Sequence, residues 1–575
     1  MTMNKMLAAL AGSLTLILGP QAASAQTAAG DWVGALTINP ALNLRVAVHI
    51  RKTSQGVYAG TVDSPDQGNF DKPLSDIAVV AGALSFSDAT LSARYEGKWD
   101  PAARQWVGQW TQSGQPARAL NLAPGVFPPA PAVAGLDGDW DGALEASLGV
   151  KLRLALHIKS GAHGTLATLD SIDQGANGIA VSAISRTGDH VRIEMKLLGA
   201  VADGDLADGG QTLKTSFTQS GVVMPLTLTR RAAGQKEAAL NRPQTPVKPY
   251  PYPEEEVAYD NPAAHVRLAG TLTLPKGDGP FPVVVLVAGS GPNTRDEPLM
   301  GHRPFLVLAD HLTRQGIAVL RYDKRGTGAS TGDFAKATTM DFADDVQAGM
   351  AYLKHRKDID PRRIGLIGHS EGGLIVPIVA ARDPSTAFIV MMAGPGVNGA
   401  DILMEQGRLM SKAGGMSDAR IEETSNLRGR MIAIVRQEKD PATAAAKLRE
   451  AMAAQAKAQG LPDSAVETQI SQINSDWFRF FFSYDPAPIL RKVRCPVLAI
   501  SGSKDLQVPP DQNLPAIRAA LAGNPDAEID ELPNLNHLFQ TAKTGGLGEY
   551  AQIEETIAPV ALDTMTGWIL KQIRR

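Results

Sequence analysis

Apolar and polar positions change rhythm along this chain. From about Gly30 to Arg231 they alternate over short runs. Leu44, Val46, Val48 and Ile50 fall on one face of a strand, and turns such as Ser64-Pro65-Asp66 and Gln112-Ser113-Gly114 break the pattern. No helix-length period occurs there. From Asn261 onward the pattern differs: 266–274 alternates, and continuous apolar runs follow at 281–288, 317–320, 364–367, 388–392 and 496–500. Helical periods lie between them at 304–315, 340–355 and 374–381. Strands that are apolar throughout and alternate with helices predict a mostly parallel sheet covered on both faces. Between Gly394 and Cys495 the alternation lapses into helix-forming sequence at 400–413, 418–437 and 443–459. This predicts a helical cap, about 397–484, inserted between two sheet strands.

The alternating part is duplicated. Gly30-Asp31-Trp32-Val33-Gly34 recurs as Gly138-Asp139-Trp140-Asp141-Gly142, and 44–50 recurs as 152–158, both at an offset of 108 residues. Asp66-Gln67-Gly68 matches Asp173-Gln174-Gly175, and Thr111-Gln112-Ser113-Gly114 matches Thr218-Gln219-Ser220-Gly221, at an offset of 107. A period this long is a duplicated domain and not a solenoid. Two tandem all-β domains, 26–127 and 134–232, of small-barrel or sandwich type are expected. The recurring Trp32 and Trp140 read as packing residues, and the recurring His49, His157, Asp66 and Asp173 form no metal-ligand cluster at local spacing. A proline-rich linker, 233–260, follows; the run Arg242 to Pro253 predicts an extended, stiff chain that Glu254-Glu255-Glu256 keeps solvated. The α/β region is placed at 261–575.

Composition narrows the function. A chain of 575 residues is too long for one core. Its 44% hydrophobic and 20% charged content is that of globular protein, and a net charge of −3 gives no reason to expect nucleic acid or an anionic membrane as partner. Lys5, the apolar run 6–18, Gly19-Pro20 and Ala23-Ser24-Ala25 have the pattern of a signal peptide, 1–25, so an exported protein, periplasmic or extracellular, is expected. No stretch is long enough to span a membrane. The lone Cys495 forms no internal disulfide and reads as a buried small hydrophobe.

The candidate chemistry centres on 364–373, where an apolar strand ends in Gly368-His369-Ser370-Glu371-Gly372 and an apolar helix begins. Strand, cramped turn and helix make a nucleophile elbow, which projects the Ser370 hydroxyl from the sheet end. The Glu371 N–H then points to where an oxyanion would form. Together with the order of strands and helices, this resembles the α/β-hydrolase fold over roughly 261–575. Gly289-Ser290-Gly291-Pro292, the loop Asp323-Lys324-Arg325-Gly326-Thr327-Gly328 and Ser503-Lys504-Asp505-Leu506-Gln507-Val508 further resemble bacterial serine carboxylesterases related to serine-aminopeptidase-like hydrolases. The resemblance implies a triad in the chain order Ser370, Asp505, His537; His537 is the only histidine after Asp505. It implies oxyanion donors at the backbone N–H groups of Ser290 and Glu371, Asp323 and Arg325 as scaffold, and ester hydrolysis without metal or organic cofactor. The dense aromatic segment 477–484 suggests Trp477, Phe478 and Phe481 as walls of a pocket for an uncharged small-molecule ester. An exopeptidase and a thioesterase are the alternatives within this chemistry. A protein that binds glycan or envelope through its β domains, with a secondary hydrolase domain, is the alternative outside it. Oligomeric state stays open.

Overall fold

The structure is a computed structural model that describes residues 27–39, 42–112, 117–145, 150–219, 221–232, 234–237, 239–459, 461 and 463–574. The signal segment, and Ser113, Gly114 and Ser220 of the last repeat landmark, lie outside the described residues. One compact unit comprises the chain to Pro128 apart from 66–68; a second takes up 66–68 and everything from Pro129.

The first unit is built on a nine-stranded antiparallel sheet. Its first strand (Gly30–Asn39) pairs with both the second (Leu42–Lys52) and the ninth (Arg118–Pro124), so the strand order closes on itself except between Asn69–Pro73 and Ser75–Val80. The second copy, inside the second unit, repeats this order, with Gly138–Glu145 paired to Lys151–Gly161 and Val222–Arg230. Trp32 stands opposite Val48 in one copy and Trp140 opposite Leu156 in the other, so the duplication extends to register. Alternate side chains fill each interior: Trp32, Val48, Ile50, Phe86, Tyr95 and Trp106 in the first, Trp140, Leu156, Ile158, Ile193 and Phe217 in the second. Both tryptophans are buried, and their Nε1–H groups donate to the carbonyls of Ala28 (2.8 Å) and Leu136 (2.9 Å). They pack, as buried indoles with a satisfied N–H do.

The α/β-hydrolase domain holds an eight-stranded sheet, numbered here within the domain: β1 Glu254–Asn261, β2 Val266–Thr273, β3 Phe281–Val287, β4 Ala318–Tyr322, β5 Ile359–His369, β6 Ile389–Met392, β7 Val497–Gly502 and β8 Ala527–Leu532. The order is β1-β2-β4-β3-β5-β6-β7-β8, parallel from β4 to β8, with β1 and β2 antiparallel at one edge. Alternation explains the apolar runs: Val283, Val285 and Val287 enter the core on one face of the sheet, Val284 and Leu286 that on the other. Helices α1 (Pro304–Arg314), α2 (Thr339–Lys354) and α3 (Glu371–Arg382) follow β3, β4 and β5. Helix α2 contributes Phe342, Val346 and Met350 to the first core, and α1 contributes Phe305, Leu308 and Leu312 to the second.

The sequence reading assigned 254–260 to the linker, but the structure makes this segment β1, paired in register from Glu254↔Thr273 to Asn261↔Val266. An edge strand with one solvated face tolerates three glutamates, which masks its pairing. The linker itself is docked. The Arg242 guanidinium donates to the carbonyls of Met300 (2.8 Å), Ala551 (2.8 Å) and Ile553 (3.1 Å), and Gln244 bonds the backbone of Thr556 and Ile557.

Among the described residues, five helices lie between β6 and the short helix α9 (Ala487–Leu490): α4 Gly399–Ala413, α5 Asp418–Gln437, α6 Pro441–Gln459, α7 Asp463–Ile473 and α8 Asp476–Ser483. They share a core of Ile402, Ile432, Leu448, Ile470 and Phe482 that also takes in Leu374 of α3. Helix α7 was not anticipated from the sequence; its moderate apolar stripe is closed only by the other cap helices. No helix among the described residues is long and apolar enough to cross a membrane. Cys495 packs against the sheet core, and burial pushes its thiol up to about 12, an unreactive state.

Candidate active site

The loops at the carboxyl ends of β3 through β8 converge on one cavity of about 620 Å³. In open α/β sheets this edge is where ligands bind, because successive loops diverge there and leave a crevice. Ser370 follows β5 at φ 54°, ψ −116°, a strained conformation for a residue with a side chain. The neighbouring glycines make the corner possible. A Cβ on Gly368 would lie 2.0 Å from the carbonyl oxygen of Gly372, and one on Gly372 would lie 1.9 Å from that of Val287. Without side chains, strand and helix approach closely enough to expose the Ser370 hydroxyl at the cavity floor.

His537, in the loop after β8, lines the same cavity. Its Nδ1–H donates to Oδ2 of Asp505 at 2.7 Å, which leaves Nε2 as the acceptor. Asp505, buried in the loop after β7, is oriented by the N–H groups of Gln507 and Val508, both 2.8 Å from Oδ1. The histidine loop is held by Asn536, whose Oδ1 accepts from the N–H groups of Leu538 and Gln540. No hydrogen bond joins Ser370 Oγ to His537 in this conformation; such contacts commonly tighten only once substrate is bound. Ser290, in the loop after β3, and Glu371, the first residue of α3, also line the cavity. The structure thus brings together all five residues that sequence and resemblance single out.

Trp477, Phe478 and Phe481 of α8 form an aromatic wall of the cavity, with Trp477 stacked on Phe481 at 4.9 Å. The rest of the aromatic segment does other work: Phe482 is fully buried in the cap core, and Phe480 stacks on Tyr484 at 4.8 Å. Sequence reasoning missed the cap residues Ile402, Leu403, Gln406 and Gln472, which also line the cavity. They sit on ordinary amphipathic helices, so nothing local marks them.

Glu371 is the only acidic side chain among the described residues lining the cavity. Its carboxylate is engaged throughout: Oε1 accepts from Trp477 Nε1 (2.6 Å) and Thr339 Oγ1 (2.8 Å), and Oε2 from the buried Lys324 ammonium (3.0 Å). Lys324 also donates to the Gly289 carbonyl at 2.6 Å. Its neighbours Asp323 and Arg325 serve structure. Asp323 binds Arg295 and the Ala329 N–H, and Arg325 binds Asp345 at 2.7 and 2.8 Å. Arg295 beside it holds the Asp323 carboxyl below its ordinary value, against the opposing effect of burial.

Away from this site the fold assembles His157, Asp170 and Glu237 within 4.8 Å of one another, a grouping that local spacing did not reveal. Arg231 lies 3.4 Å from Glu237, and Asp139 binds His157 Nδ1 at 2.7 Å. We read this as an ion-pair network, and its counterpart in the first repeat is Asp31–His49–Asp63.

Sheet order and elbow define an α/β-hydrolase fold. Among known families, residues 264–524 match the model of the X-Pro dipeptidyl-peptidase (S15) family. Esterase EstD of Thermotoga maritima is 28% identical over 308 residues, 53% of this chain and 66% of that protein, so the chain spans just under two thirds of its relative. Among solved structures, the α/β hydrolase GrgF from Penicillium sp. sh18 is similar at 17% identity and a TM-score of 0.37, over 56% of this chain and 100% of that one. Est1E from Butyrivibrio proteoclasticus, solved with ferulic acid bound, is similar at 16% identity and a TM-score of 0.34, over 56% and 100%.

Proposed function

We propose that this protein is an exported serine carboxylesterase acting on small, uncharged esters with an acyl or aryl group of short to medium size. Ser370 attacks the acyl carbon while His537 Nε2 takes its proton. Asp505 holds the imidazole in the required tautomer and stabilises the cation that forms. The N–H groups of Ser290 and Glu371 receive the oxyanion. His537 then returns the proton to the departing alcohol, and water releases the acyl group by the same steps in reverse roles. Export rests on the N-terminal sequence pattern alone.

One observation carries the choice of ester over peptide. An enzyme that reads a free amino terminus must offer a carboxylate to the ammonium it desolvates. The cavity's one acid, Glu371, is already bound by Lys324, Trp477 and Thr339. The cap acids Asp401, Glu405, Glu422 and Glu423 do not line it. Glu405 and Glu423 bind Arg408 and Arg420 instead. The name of the EstD relative points the same way. The S15 match favours the second reading, a dipeptidyl peptidase.

Two measurements test this. Fluorophosphonate labelling with peptide mapping should place the adduct on Ser370. The kcat/KM for p-nitrophenyl butyrate should exceed that for aminoacyl p-nitroanilides by orders of magnitude. A larger value for the anilide, abolished by acetylating its amine, would establish the peptidase reading.

A further inference from the structure

A second histidine lies behind the reacting groups. His369, the residue between Gly368 and Ser370, is buried, and its ring centroid is 4.8 Å from that of His537. Its Nε2 lies 2.9 Å from the backbone carbonyl oxygen of His537. A carbonyl only accepts, so Nε2 carries a proton. Its Nδ1 lies 3.0 Å from Oε1 of Glu297, an oxygen that already accepts the Gly289 N–H at 2.5 Å. Glu297 is itself buried, and its Oε2 has no hydrogen-bond partner among the described residues. A buried carboxylate so poorly supplied with donors favours a cation beside it. Burial alone would push the imidazole down, but the Glu297 charge and hydrogen bond, the His537 carbonyl and the charge of Asp505 together hold it above its ordinary value.

These contacts form one chain through the site. It runs from the amide of Gly289, next to the nominated oxyanion donor Ser290, through Glu297 and His369 to the main chain of His537. We propose that His369, as an imidazolium clamped on Glu297, is a positioning residue that fixes the His537 loop and the Gly289-Ser290 loop against the Ser370 elbow. The proposal rests on the function assigned above to Ser370 and His537. His369 touches no reacting atom; it acts through the backbone of the base and through Glu297.

The charge has a consequence that packing lacks. Around His537 stand the Asp505 carboxylate, the buried Tyr550 phenol near Asp505, and the His369–Glu297 pair. Within that pair the cation is directly against the His537 ring. Removing the cation while leaving Glu297 therefore leaves an uncompensated negative charge beside the reacting groups.

His369→Gln keeps one donor and much of the volume but removes the charge. The plateau kcat for p-nitrophenyl butyrate should fall about 10- to 100-fold with KM within roughly twofold, and the acid limb of kcat/KM should move to higher pH. The double variant E297Q/H369Q, which removes both charges, should bring the limb back toward wild type while kcat stays low. A loss of kcat with an unmoved acid limb in both variants would mean that His369 only packs. A readout independent of turnover separates this from failure of the esterase reading. In 15N-histidine NMR of the full chain, both ring nitrogens of His369 should carry protons at pH 8, with the signals assigned by their loss in H369Q or their shift in E297Q. A neutral His369 ring at pH 8 overturns the proposal whatever the enzyme hydrolyses.

Discussion

Replacing Trp477 by Phe removes one hydrogen bond and the part of the aromatic wall that the larger indole supplies. The Nε1–H of Trp477 donates to Glu371 Oε1 at 2.6 Å, and this bond ties the cap helix α8 to the residue that follows Ser370. A bond to an ionised acceptor contributes about 1.5–3 kcal/mol. Glu371 Oε1 keeps Thr339 Oγ1 as a donor, so the lower end, about 1.5 kcal/mol, applies. Phenylalanine retains an aromatic face toward Phe481, which Trp477 stacks against at 4.9 Å. The cost therefore falls on where the wall stands, not on whether it exists. Esters that reach the wall should feel this most. We expect kcat/KM for p-nitrophenyl octanoate to fall about tenfold, the equivalent of that energy, while p-nitrophenyl acetate changes by less than about threefold. Steady-state kinetics on the two esters, with the melting temperature measured alongside, decide it. An unchanged octanoate value, or an equal loss on both esters, would refute the idea that this bond positions the acyl pocket. Glu371→Gln is the useful contrast. It keeps an acceptor for Trp477 but leaves Lys324, 1% exposed, without its counter-charge. A buried charge left alone costs about 3–5 kcal/mol, so this variant should lose stability first.

On the proposed function, Ser370→Ala and His537→Ala should each lower kcat by roughly 10⁵–10⁶-fold with melting temperature nearly unchanged, and Asp505→Asn by about 10⁴-fold, because the members of such a triad act as a unit; full activity in D505N would disqualify Asp505. Arg242→Ala leaves the carbonyls of Met300, Ala551 and Ile553 without their donor and should cost about 2–3 kcal/mol, read as a lower urea midpoint. A chain starting at residue 129, the start of the second compact unit, should retain ester turnover. One starting at 246, without Arg242 and Gln244, should aggregate, and an active 246 truncation would show that the docked linker is dispensable. His302 is buried against Thr556 and the Tyr550 carbonyl, and burial, with Arg242 nearby, lowers its pKa to about 4. The unfolded chain binds this proton from about pH 6.5 downward and the folded one only near 4, so stability is full above 6.5 and is lost as pH falls through that window. The loss amounts to about 3 kcal/mol, and His302→Gln should flatten that part of the urea midpoint against pH.

The sequence by itself determined most of the elements and singled out the candidate site positions. Period-2 runs and the 108-residue offset announced two copies of one β domain, because strand alternation and duplication are both local or self-referential properties. Gly368 and Gly372 flank Ser370 because no Cβ fits the close approach of strand to helix, and a steric requirement of that kind leaves its mark in the residues themselves. The resemblance then supplied Asp505 and His537 in chain order. Tertiary structure decided what long-range contact decides. The polar segment 254–260 became β1 only because β2 offered it a ladder; three glutamates in a row carry no sign of a partner. The linker proved to be docked because Arg242 finds carbonyls about 300 residues away. The Glu371–Lys324–Trp477 contacts and the Glu297–His369–His537 chain join residues from five separate segments. Burial is what gives those charges their weight, since the same groups in water would interact by a small fraction of that energy, and burial exists only once the sheet, the elbow and the cap have closed around them.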